Sequence, residues 1–173
     1  MNLSVFLTQS LNVKNPVFLL IFSVFVLGCN KENPIDYNDK IIFPQIRISA
    51  YIDSIFTQNA AYTDIVQYRQ EIIKNAEQGL EQTRILGDFK GSETYKNTGI
   101  EYYSYVKKLF SETADLDSLM FIYNSKERID QLDEKTKKQM SRDFEYYNNL
   151  ESRLLDEQQR FIKEFNVHVR HQP

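Results

Sequence analysis

Along most of the chain, apolar positions recur at intervals of three, four and seven, the spacing of one face of an α-helix. In the first such segment Ile41, Ile48, Ile52 and Ile55 form a stripe that Ile42, Ile46 and Phe56 widen. Asn38 or Asp39 is placed to cap it. Pro44, about one turn further in, marks either the helix's true first turn or a kink. Thr57-Gln58-Asn59 reads as a break. A second segment, residues 61–86, aligns Ile65, Tyr68, Ile72, Ala76 and Leu80 and stops at Gly87, a residue suited to the left-handed position after a helix. Gly79 inside it costs about 1 kcal/mol relative to alanine and marks close helix packing. Asp88-Phe89-Lys90-Gly91 makes a turn, and Ser92 is a good N-cap for a third helix. That helix sets Tyr95, Tyr102, Val106 and Leu109 on one side, Tyr103 and Phe110 beside them, and reaches Phe110 or Ser111. Asp115-Leu116-Asp117-Ser118 is placed to interrupt it, and residues 119–123 form either a short buried helical piece or the continuation of the third helix. The last helix, capped by Asp130 or Asp133, repeats Met140, Phe144, Tyr147, Leu154, Phe161 and Phe165, with gaps filled at Glu151 and Gln158. It frays near Val167, and residues 168–173 read as a loose tail. Four amphipathic segments with short links predict an all-α, up-down four-helix bundle over residues 38–167. There is no internal repeat, low-complexity tract or second domain.

The first 28 residues break this pattern. Val17 to Leu27 is an apolar run of eleven residues interrupted only by Ser23. A membrane span needs about 20, so the run has the length of a signal-peptide core. Lys14, the one charge before Cys29, supplies a positive n-region. Val26-Leu27-Gly28-Cys29 follows directly and resembles the lipobox of bacterial lipoproteins: aliphatic, variable, small, then cysteine. The resemblance implies cleavage after Gly28 and a diacylglycerol on the Cys29 thiol, with acylation of the new amine as a further step. Val26 stands where leucine is more frequent. Residues 29–37 then serve as the lipidated start and a short polar tether, with Asn30-Lys31-Glu32-Asn33-Pro34 at its heart. A lysine followed by an acid just after the cysteine is similar to the surface-export signal of some Gram-negative lipoproteins, although only one acid follows Lys31. The expected location is the outer membrane, lipid-anchored and facing outward, with a periplasm-facing domain as the other possibility. Two or three acyl chains anchor stably at about 0.8 kcal/mol per buried CH₂, so the domain needs no membrane-binding surface of its own.

Composition narrows the partners. The 173 residues hold 21 Lys and Arg against 24 Asp and Glu, a net charge of −3, and loss of Lys14 makes the remainder more acidic. Nucleic acid, which wants a basic face, is not an expected partner. Charge alone would not hold the domain on anionic lipid. Five glycines, four prolines and many tyrosines and phenylalanines favour helices over a β-sandwich. With a single cysteine no intramolecular disulfide can form, and its place in the lipobox explains the odd thiol.

Candidate chemistry is sparse. Ferritin-like bundles need inward carboxylates with Glu-x-x-His on two helices, and that spacing does not occur. Glu151 and Gln158 lie on the last apolar stripe, and Glu71 and Glu101 near two others; they read as stripe-edge side chains more than as a metal cluster. His168 and His171 sit in the tail and make at best a two-ligand site. No Gly-x-Ser-x-Gly, dinucleotide or phosphate-loop pattern is present, and no histidine falls in the expected core to act as a base. No catalytic residue and no cofactor are assigned. Lys135, Lys137 and Lys138 are offset by Asp133 and Glu134 and read as a solvated face. Tyr102-Tyr103-x-Tyr105 and Tyr146-Tyr147 stand out, because adjacent helical residues point about 100° apart and cannot all face one core. Tyr105 and Tyr146 are the outward members and the candidate interaction surface.

Tyr37-Asn38-Asp39-Lys40-Ile41, Phe89-Lys90-Gly91 and Gln159-x-Phe161 together give residues 35–167 a resemblance to an uncharacterised family of bacterial surface lipoproteins built as a four-helix bundle. The resemblance implies an envelope or surface location and hands over no catalytic residue; Pro44 departs from the smooth first helix of such a bundle. Two function classes stay open. One is a non-enzymatic binding or structural module on a lipid anchor, its protein or ligand partner unknown. The alternative is a carboxylate-rich metal-binding or redox bundle.

Overall fold

The computed structural model describes residues 33–57 and 60–167. The expected signal segment with Gly28, Cys29, Gln58-Asn59 and the histidine tail lie outside the described residues. Among the described residues the chain is all-helical, with no strand.

Helix α1 (Pro34–Thr57) starts four residues earlier than the apolar pattern predicts. Pro34 suits a first turn, where its missing N–H costs nothing. Asn33 closes that turn, its Oδ1 accepting from the Ile35 N–H at 3.0 Å. Asn38, the predicted cap, is instead only 1% exposed within the core. Pro44 is a true interior proline, so the carbonyl one turn before it loses its helical donor. At this weakened turn the Tyr103 hydroxyl from another helix donates to the neighbouring Ile41 carbonyl and stands at the Gln45 N–H.

Helix α2 (Tyr62–Ile85) buries Ile65, Ile72, Ala76, Gly79, Leu80 and Thr83. Gly79 is a point of close approach: a Cβ there would lie 2.5 Å from the Tyr103 ring. The helix does not end on a left-handed Gly87. Leu86 leaves it in extended conformation, the Lys96 ammonium takes the Leu86 carbonyl, and the left-handed turn falls later, at Lys90 and Gly91 (φ 38° and 91°). Helix α3 (Glu93–Glu112) follows. Ser92 occupies the N-cap position but makes no capping bond through its side chain, and its buried hydroxyl has no protein partner.

A left-handed Asp115 (φ 53°) turns the chain into α4 (Leu116–Tyr123), and α5 is a single turn (Lys126–Ile129). Arg69 from α2 fixes this corner. It donates to the Phe110 carbonyl at 2.6 Å and the Thr113 carbonyl at 3.4 Å, and it pairs with Asp117 at 3.0 Å. Helix α6 (Glu134–Phe165) is the longest. Of the two predicted caps, Asp133 serves, accepting from the Thr136 N–H at 2.9 Å. It ends on a left-handed Asn166.

Helix α1 packs on α2, α2 on α3 and α3 on α6, and α6 also meets α1. The core runs between them as one cluster. At one end Tyr37, Phe89, Tyr95, Phe161 and Phe165 stack with ring centroids 4.7–6.5 Å apart. At the other, Phe56 meets Phe144 at 5.2 Å and Tyr123 at 6.4 Å. No described helix is long and apolar enough to cross a membrane.

Candidate functional site

Among the places where α6 brings polar or aromatic side chains together are a tyrosine pair, a groove at its N-terminal end, and a half-buried carboxylate midway along it.

The tyrosine pair joins the two residues singled out from sequence. Tyr105 on α3 and Tyr146 on α6 meet edge to face, with centroids 4.6 Å apart and planes at 72°. Tyr146 is 45% exposed, and its hydroxyl donates to Glu101 at 3.2 Å beside the Arg153–Glu101 ion pair at 3.1 Å. Tyr105 is partly buried rather than fully outward, because its hydroxyl reaches across to donate to the Asp143 carbonyl at 2.9 Å. Burial, then the nearby Asp143 carboxylate and Tyr146, push its pKa up to about 12. It is a neutral phenol at any physiological pH.

One turn from that pair lies a groove of about 420 Å³. Leu109 of α3, Leu116 and Leu119 of α4, and Met140 and Phe144 of α6 form its wall. Met140 and Phe144 are four apart, so the same helical stripe that builds the core here runs out past its edge. Asp133, Lys135 and Asp143 are the charged groups lining it. A space of this size whose exposed lining is mostly apolar has the dimensions of a small-molecule site.

The carboxylate is Glu151. Its Oε1 accepts from Gln45 Nε2 at 2.8 Å and Tyr147 OH at 2.9 Å, and from the Ser49 hydroxyl. Tyr102 extends the network from α3 by donating to the Tyr147 hydroxyl at 3.4 Å. Burial, then the Glu151 charge, hold the Tyr147 phenol well above its ordinary pKa; burial, then Tyr147, does the same for Tyr102. A parallel arrangement sits further along, where Asn38 Oδ1 accepts from Tyr95 OH and Gln158 Nε2, both at 3.1 Å.

The four stripe-edge residues considered as metal ligands are not brought together. Glu151 and Gln158 belong to the two networks just described, Glu101 pairs with Arg153, and Glu71 accepts from Lys74 at 3.4 Å. Among the described residues no group of three His, Cys, Asp or Glu side chains converges on one point. The sequence reading missed the groove and Asp143. The signal available was the short apolar piece of α4 facing Met140 and Phe144, but it read as core because spacing alone does not show whether a stripe is covered.

No protein family, curated protein or solved structure matches this chain. The resemblance to helical-bundle surface lipoproteins rests on the residues quoted for it.

Proposed function

We propose that the chain is a lipid-anchored bacterial envelope protein whose helical domain is a non-enzymatic binding module. The observation that carries this reading is Val26-Leu27-Gly28-Cys29, set directly after an eleven-residue apolar run with Lys14 ahead of it. Cleavage before Cys29 and acylation of its thiol leave residues 29–33 as tether to a helix that begins at Pro34. The domain is an up-down four-helix bundle of α1, α2, α3 and α6, elaborated by α4 and α5. Supporting this, Gln45 meets Glu151 while Asn38 meets Gln158, so α1 and α6 run antiparallel. The binding reading draws on the apolar groove and the adjoining tyrosine pair, both on α6. Lys31-Glu32 after the cysteine favours the outer face of the outer membrane.

Mass spectrometry of the mature N-terminus tests the anchor: an acylated Cys29 is the expected species, and a chain still carrying residues 1–28 overturns the reading. Protease added to intact cells then tests the location. Digestion of the domain places it outside; protection until the outer membrane is opened places it in the periplasm. Cys29→Ala, which should release the protein from membranes, controls for anchoring.

A further inference from the structure

We propose that the groove between α3, α4 and the first three turns of α6 binds a small amphiphile with an apolar body and a cationic amine head. This rests on the reading of the domain as a binding module and gives it a ligand class.

The body follows from size and lining. At about 420 Å³ the groove holds one ligand-sized object. An α-helix with its side chains is about 10–12 Å across, too wide to enter a space of this volume. The wall is the five apolar side chains named above, drawn from three helices. Its polar ends, Asp133 and Asp143, are ten residues apart on α6, about 15 Å at 1.5 Å per residue.

The head follows from charge. Two carboxylates and one ammonium line the groove. Both Asp133 oxygens are engaged by Thr136, through its N–H at 2.9 Å and its hydroxyl at 2.7 Å. Lys135 lies eight residues from Asp143, about 12 Å along the helix, and the adjacent Arg142 donates to the Gln139 amide oxygen at 2.8 Å rather than to Asp143. Asp143 accepts from Gln139 at 2.8 Å through Oδ1, which leaves Oδ2 for a ligand. Its backbone carbonyl carries the Tyr105 hydroxyl, so the Tyr105–Tyr146 rings stand next to this end of the groove. A carboxylate beside aromatic rings attracts an ammonium and repels a carboxylate.

Methyl NMR of the whole chain, held in lipid nanodiscs and labelled at methionine, tests this. Met140 lines the groove, while Met120 is fully buried outside it and reports on the fold. Hexylamine, hexanol and hexanoate are titrated in turn, with empty nanodiscs as background. Hexylamine should move the Met140 signal saturably, leave Met120 in place, and bind about tenfold tighter than hexanoate. Asp143→Asn should weaken hexylamine to the level of hexanol with Met120 unmoved. The proposal is overturned if hexylamine leaves Met140 unmoved, if hexanoate binds as tightly, or if Asp143→Asn leaves the amine affinity unchanged. None of those outcomes touches the lipoprotein reading, which is decided separately by the acylation of Cys29.

Discussion

Glu151 gathers donors from two helices onto one oxygen, and each donor is itself in or near the core. Taking the carboxylate away leaves Gln45 Nε2, the Ser49 hydroxyl and the Tyr147 hydroxyl without their acceptor, which costs more than the net worth of the bonds. Glu151→Ala should therefore destabilise the domain by about 2 kcal/mol, while Glu151→Gln, which keeps an acceptor, should cost less. Urea denaturation of both variants checks the order. Gly79 is a second residue whose role is set by one neighbour. Alanine there would gain about 1 kcal/mol of helix propensity, but its Cβ would stand 2.5–2.7 Å from three ring atoms of Tyr103. The ring cannot retreat freely, because its hydroxyl is tied to the Ile41 carbonyl. Gly79→Ala should be net destabilising by about 1–2 kcal/mol. Tyr103→Leu in the same chain should remove most of the Gly79→Ala penalty, read as the coupling term of a double-mutant cycle.

At the scale of elements, the corner between α3 and α4 depends on a side chain from α2. Arg69 satisfies two carbonyls at the end of α3 and pairs with Asp117 in the first turn of α4, with both charged side chains 19% exposed. Removing one partner of so covered a pair leaves a carboxylate and two carbonyls uncompensated. Arg69→Ala should cost about 3 kcal/mol and raise hydrogen exchange in α4 before it does so in α1, which mass spectrometry of exchanged peptides would show. Nothing in the sequence around Arg69 announces this, because its partners lie 41 to 48 residues away. What was legible was periodicity. The stripes of α2, α3 and α6 landed within a few residues of the observed helices, since a stripe must face a core wherever the helix goes. The ends were harder, because several residues of similar chemistry compete for each cap. Asn33 with Pro34 displaced Asn38, and Lys96 displaced Gly87. The tyrosines were half legible: the 100° step separated Tyr105 and Tyr146 from Tyr102, Tyr103 and Tyr147, but the reach of Tyr105 to the Asp143 carbonyl depends on how α3 and α6 are placed together.

For the molecule as a whole, the tyrosines decide the response to alkali. Tyr95, Tyr102, Tyr103 and Tyr147 are at most 3% exposed, and burial, the first cause in each case, raises all four phenols above their ordinary pKa of 10.0. In the unfolded chain they ionise near pH 10; in the folded domain they stay neutral well beyond it. A raised folded-state pKa means the stabilising contribution is fully present below pH 10 and is lost as the pH climbs toward the folded values. Over that window the unfolded state has released protons that the native state still binds, so each buried tyrosine lowers stability by about 1.4 kcal/mol per pH unit. Four acting together make the decline steep. The domain should hold its stability up to about pH 9–10 and then unfold cooperatively within the next one to two units. Absorbance at the phenolate band, followed beside far-ultraviolet circular dichroism, reads both events at once. The four core phenols should ionise only as the helices melt, and Tyr105, whose own pKa stands at about 12, should not ionise ahead of that transition. Gradual ionisation of every tyrosine near pH 10 with the helix signal intact would mean that the core is open to hydroxide and is not the sealed aromatic layer that holds α1, α3 and α6 together.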